Sequence, residues 1–230
     1  YREAVSVAEA LSAVKAGATG VILKGLEAGG RAGADPSFIL LQKWKQYAEK
    51  NGIVVPFWVR GGTGAFTSAA CVAGGAKGVV LDSQVLLARE SPLSDATRKR
   101  LTGLDGSEAL VFGSRLGEGY RFYARPDSLA AQELAKEDER LQASDLTAEA
   151  KLSAWRAFVG KRVSSEPTAG AWLLGQDVAA APGLAAKGVT TAGIVQYICE
   201  RTAAHLAAAQ KLKHLAEGAP LAQSHGTRYP

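Results

Sequence analysis

The stretch VILKGLEAGGRAG, residues 21–33, constrains the fold more than any other, because a short apolar run empties into Gly25, Gly29, Gly30 and Gly33. Val21, Ile22 and Leu23 are apolar without alternation, which suits a strand buried on both faces, and GATG at 17–20 reads as the turn leaving a helix. Helix, turn, buried strand and glycine loop make the unit of a parallel sheet or barrel, in which loops at the carboxyl ends of strands carry binding and chemistry. Glycines in such a loop either let a ligand approach the backbone or only permit a tight turn. The residues alone leave both open.

The unit recurs. Ala4, Val7, Ala8, Leu11 and Val14 fall at helical spacing and predict a helix over 2–15, in which the chain opens. Pro36 and Ser37 open a second helix, with Phe38, Leu41, Trp44, Lys45 and Ala48 spaced by three and four and Asn51-Gly52 closing it. The run 53–60 is again continuously apolar, but Pro56 argues that its first half is loop and only 57–60 strand. Residues 60–64, RGGTG, repeat the glycine loop, a small-residue helix at 67–73 follows, and a third strand at 78–81 ends in Asp82-Ser83-Gln84 and a short helix to Arg89. Three right-handed crossovers place these strands in parallel, with all three loops facing one pocket.

After Ser91-Pro92 the texture changes. Alternation in 120–123 after the run 109–112, with Gly113 to Gly119 between, predicts a β-hairpin. A short basic helix at 95–101 precedes it, and charged amphipathic helices at 128–141 and 147–159 follow, with Glu137, Asp138 and Glu139 read as a solvated face. LLGQD at 173–177 leads into a small helix, 190–217 is a long helix, and 219–230 reads as linker. The expected organisation is therefore 1–92, part of a barrel; 93–170, hairpin and helical insertion; 171–218, terminal helices packing on the barrel; and 219–230, linker.

Lys and Arg outnumber Asp and Glu by 27 to 22, but the surplus is spread without a basic block, which argues against nucleic acid. Cys71 and Cys199 lack metal-ligand spacing and read as two buried small hydrophobes in a reducing compartment. No apolar run approaches the roughly 18 residues of a membrane span and no secretory signal opens the chain, so a cytoplasmic location is expected. His205, His214 and His225 lie in the terminal helix and linker, away from the loops, and Trp44, Trp58, Trp155 and Trp172 read as packing residues. With no Met anywhere and Tyr229-Pro230 at the end, the chain reads as a piece of a longer polypeptide.

Three segments, LKGLEAGGRAG, VRGGTGAFTSAACVAGGAKGVVLDSQVLLARES and TTAGIVQYICERTAAHL, together resemble the nitronate monooxygenase (2-nitropropane dioxygenase-like) family. These are FMN-dependent barrels that also include bacterial flavin enoyl reductases, and the chain is most similar to those embedded in polyketide and polyunsaturated fatty acid synthases. The resemblance implies that the three strands are the sixth to eighth of a (β/α)₈ barrel, that the first five lie upstream of Tyr1, and that HGTRYP at 225–230 leads into a following domain of the same kind.

The resemblance also assigns a site. Lys24, Glu27, Gly29 and Gly30 line the flavin, and Arg31 stands where the family has a histidine that assists substrate chemistry. An arginine stays protonated and is no general base, though it could hold an anionic substrate or the reduced flavin's charge; otherwise it reaches solvent or pairs with Glu27 or Asp35. Gly61 and Gly62 supply phosphate-binding amides, and Asp82-Ser83 replaces the family's Gly-Thr pair. Ser83 keeps a hydroxyl. Asp82 repels a phosphate unless turned away or countered, for which Arg60 and Lys24 are at hand.

Two functions follow from the resemblance. One is an FMN-dependent oxidoreductase domain that moves a hydride between flavin and an acyl or polyketide substrate, inactive as this piece alone. The other is a non-catalytic scaffold that positions neighbouring domains of the same polypeptide.

Overall fold

The computed structural model describes residues 1–125, 128–163 and 172–218, without the side chains of 212–218. The linker expected at 219–230 and the surroundings of His214 and His225 lie outside the described residues.

The first half is an open parallel sheet with helices on it. Strand β1 (Arg2–Ala4) leads to helix α1 (Val7–Lys15), strand β2 (Val21–Lys24), a short strand β3 (Gly30–Ala32), helix α2 (Ser37–Lys50), strand β4 (Phe57–Arg60), helix α3 (Ser68–Ala73) and strand β5 (Val79–Val80). Strands β1, β2, β4 and β5 are neighbours in that order and all parallel, with Val21 opposite Phe57 and Lys24 opposite Arg60. This is the carboxyl-terminal part of a (β/α)₈ barrel. Leu23 and Val59 are fully buried against Leu40 and Trp44 of α2, and each such side chain contributes about 1.5–3 kcal/mol by leaving water. Pro56 falls just before β4, as the sequence indicated.

Three expectations are corrected. Residues 2–15 are not one helix, because Ser6 has extended backbone and caps the amide of Glu9, so that α1 starts at Val7 while Arg2–Ala4 joins the sheet as a fourth parallel strand. Ala4 shares the spacing of the α1 core residues, yet it is buried from a strand. Gly30–Ala32 is not loop but pairs antiparallel with a strand far along the chain. Beyond β5 the residues 83–85 form a single 3₁₀ turn rather than a helix to Arg89.

The second half carries helix α4 (Asp95–Leu101), strands β6 (Ala109–Phe112) and β7 (Gly119–Tyr123), and helices α5 (Leu129–Ala143) and α6 (Ala148–Arg162). The predicted hairpin is present and adds β3 as its third strand, in the order β3-β7-β6. Its core is largely aromatic: Phe122 and Trp155 are fully buried with Leu134 and Leu141, and Trp155 Nε1 donates to the Glu118 carbonyl at 3.0 Å. Asp138 is not simply solvated, since it accepts from the Gly113 amide at 2.9 Å.

After a 3₁₀ turn at Gln176–Ala180, helices α7 (Ala181–Lys187) and α8 (Thr191–Gly218) return to the parallel sheet, where Ile194 and Ile198 pack with Leu184, Ala65 and Ala88. Cys199, one position beyond Ile198, is exposed, so of the two cysteines only Cys71 is a buried hydrophobe.

Candidate active site at the strand ends

The loops after β2, β4 and β5 meet at one end of the sheet. Lys24 and Arg60 are adjacent at the tips of paired strands, and both reach Glu3 of β1, Lys24 at 3.7 Å. Lys24 is 5 % exposed, and burial followed by the neighbouring Arg60 charge lowers its ammonium from the usual lysine range. Arg60 also binds Asp82 Oδ2 at 3.0 Å, so the countercharge that Asp82 requires is Arg60, with Lys24 behind it.

The loop groups are turned inward on one another. Glu27 accepts from the Ser37 amide at 3.0 Å and lies 2.9 Å from the Ser37 hydroxyl, closing the positive end of α2. Asp82 Oδ2 accepts from the Gly29 amide at 3.1 Å. Ser83 Oγ accepts from the Gly175 amide at 2.8 Å, and Gln176 donates from its backbone to the Glu27 carbonyl at 2.9 Å. The segment before α7 thus lies directly across the loops.

Close packing of the chain on itself accounts for three of the glycines. A Cβ on Gly29 would stand 2.8 Å from Gly175 N, one on Gly175 would stand 2.9 Å from Gly29 N, and one on Gly61 would stand 2.9 Å from Ala28 N. In each case backbone occupies the space a side chain needs. This is a third role, beside the ligand approach and the tight turn that the sequence left open.

Asp177, on the same crossing segment, was not singled out by the sequence. It is 9 % exposed with Oδ2 lacking any hydrogen-bond partner, and it faces a cleft of about 520 Å³ beside the Gly62 loop. Burial, then the Asp82 charge, pushes its carboxyl up to about 7 against the opposing effect of the nearby Gly62 backbone. No local pattern marks this residue, because its partners come from three distant loops.

Arg31 is placed differently from either pairing expected for it. Its guanidinium meets Glu9 of α1 through two bonds of 2.7 and 2.8 Å, while Glu27 serves Ser37 and Asp35 serves Lys43 at 2.6 Å. Glu118 Oε2 lies 4.0 Å away and is itself held by Arg156 at 2.7 Å. These four charges line an open cleft of about 650 Å³ between α1 and the hairpin. The Arg31 side chain cannot turn toward a reacting centre without leaving Glu9. His205 is nearer the loops than expected, its ring 6.2 Å from that of Phe66, which follows the Gly61–Gly64 turn.

A flavin phosphate finds a poor donor set here. Gly29 N already donates to Asp82, Asp177 lies buried beside the Gly62 loop, and Glu27 is a third carboxylate at the same loops. Two like unit charges about 4 Å apart cost on the order of 4 kcal/mol at an effective dielectric near 20, and a dianion doubles the cost. Arg60 and Lys24 are engaged by Glu3 and Asp82. As arranged, the residues do not fit the FMN phosphate.

Comparison with known proteins agrees with the architecture. FabK from Thermotoga maritima superposes with a TM-score of 0.59 at 20% identity, over 93% of this chain and 62% of that one. A nitroalkane oxidase from Streptomyces ansochromogenes gives 0.54 at 22%, over 91% and 58%. The enoyl reductase domain of MlnA, from the macrolactin biosynthesis cluster of Bacillus amyloliquefaciens, gives 0.60 at 10%, over 86% and 59%. The chain thus spans about three-fifths of each, and these likenesses carry the fold alone. No curated protein matches. The family model described as nitronate monooxygenase matches residues 2–151, running through the hairpin as well as the parallel strands. The chain therefore belongs to the nitronate monooxygenase family.

Proposed function

We propose that the chain is part of a domain within a larger, cytoplasmic fatty acid- or polyketide-type synthase, where it keeps the family fold as a positioning element for neighbouring domains rather than as a redox centre. The observation that carries this is the Arg31–Glu9 pair: the position to which the resemblance gives an acid–base histidine holds a permanent cation committed to a two-point ion pair. No single helix among the described residues is long and apolar enough to cross a membrane, which is compatible with that setting. The test is the visible absorbance of the purified synthase polypeptide before and after addition of FMN. A colourless protein that takes up no flavin is expected; bound flavin that, once reduced, is reoxidised by an α,β-unsaturated acyl thioester would refute the proposal.

The family match favours a second function, an FMN-dependent oxidoreductase acting on an acyl or polyketide substrate. Under it, Arg31 holds an anionic group of the substrate, and Arg31→His gains nitronate oxidation. Under the positioning role, the same variant gains none.

A further inference from the structure

We propose that Asp82 is a built-in anion that stands in for a cofactor's negative charge at the glycine loops, with Asp177 buried beside it, so that the loops are closed by the chain's own carboxylates. Asp82 makes the contacts expected of a bound anion: it accepts from the Gly29 amide at 3.1 Å and pairs with Arg60 at 3.0 Å. Asp177 lies buried beside the Gly62 loop, on a segment that packs backbone to backbone on the Gly29 loop. Backbone amides at a glycine turn attract negative charge whatever its source. A side-chain carboxylate covalently tied to the fold reaches them without the entropy cost of capturing a free ion.

The crowding of carboxylates shows how fully the site is supplied with negative charge. Asp177 leaves one buried oxygen without a partner, and its carboxyl is held up to about 7, at the edge of ionising. While ionised, it repels a further anion beside it. The inference concerns occupancy of the loops and stands apart from whether the domain turns over a substrate.

The experiment is calorimetric titration of the full chain with sulfate and, separately, with FMN, for the unsubstituted protein, Asp82→Asn, Asp177→Asn and the double variant. Asparagine keeps the shape and an acceptor oxygen while removing the charge. At pH 8 the unsubstituted chain is expected to show no saturable binding, and the double variant to bind both ligands at least about tenfold more tightly than either single variant. Saturable FMN binding by the unsubstituted chain, or a double variant that remains folded and gains nothing, would overturn the proposal. If the double variant fails to fold, sulfate titration of the unsubstituted chain decides, because sulfate keeps its charge as the medium is acidified. The charged groups facing Asp177 are Asp82, Glu27, Arg60, Arg121 and, across the adjoining cleft, Lys187. Burial holds the Asp177 carboxyl up to about 7, so sulfate binding should emerge between about pH 8 and pH 6 as it protonates. Binding that is equally strong at both pH values, or absent at both, counts against the proposal.

Discussion

The ends of the parallel strands and the seam between α1 and the hairpin both gather charge, but they balance it differently. At the seam the ions pair one to one, Arg31 with Glu9 and Arg156 with Glu118, each through two bonds. At the strand ends three carboxylates, Glu27, Asp82 and Asp177, crowd onto loops whose cations are shared with Glu3, and one buried oxygen has no partner. The seam is organised for stability. The strand ends retain a cost that a purely structural corner would have shed, and it is there that the proposal puts loops closed by the chain's own carboxylates.

The largest effect separates the seam's foundation from the loops. Trp155 is fully buried in the hairpin core, and Trp155→Ala should cost about 3–5 kcal/mol in urea unfolding. If the two regions are distinct, the Gly29 and Gly62 amides should keep their chemical shifts in the fraction that remains folded.

Asp177 gives the next effect, with the opposite sign. Its folded carboxyl is raised from 3.8 to about 7, so the stability tied to its proton is complete below about pH 4 and is lost as the pH rises to about 7. Asp177→Asn should therefore stabilise the chain at pH 8, by about 4 kcal/mol, and change little at pH 4, since one pKa unit corresponds to about 1.4 kcal/mol. Urea midpoints at the two pH values measure this, and a destabilised variant at pH 8 would contradict it.

The smallest effect lies at the seam's surface. Arg31 and Glu9 are both partly exposed, so Arg31→Ala should cost no more than about 1 kcal/mol despite the two bonds. Arg31 holds the Glu9 carboxyl below its ordinary range, and the pair's contribution is present above pH about 4.5 and fades on acidification. A double-mutant cycle between the two residues, repeated in high salt, measures it.

Much of the fold was legible because it is local. The apolar run at Val21–Lys24, the Pro56 boundary before β4, and the alternating strands around Gly113 to Gly119 all declare themselves within a few residues. What escaped was short or distant. Three residues are too few to show a period, so Arg2–Ala4 merged with the helix that follows. Gly30–Ala32 becomes a strand only by meeting β7, and Asp177 becomes part of the site only by crossing back over the loops of β2, β4 and β5. For the candidate site, the sequence indicated the place where the loops meet and the conflict posed by Asp82. It did not reveal that Arg60 and the Gly29 amide resolve that conflict, or that Glu9 takes Arg31.

The most direct measurement is a nuclear magnetic resonance titration of the full chain with FMN, following the backbone amides of Gly29 and Gly62. The Gly29 amide already held by Asp82, and the Gly62 amide beside the buried Asp177, should stay where they are to the end of the titration. A saturable shift of both would mean that the phosphate displaces the carboxylates and that the loops remain a cofactor site.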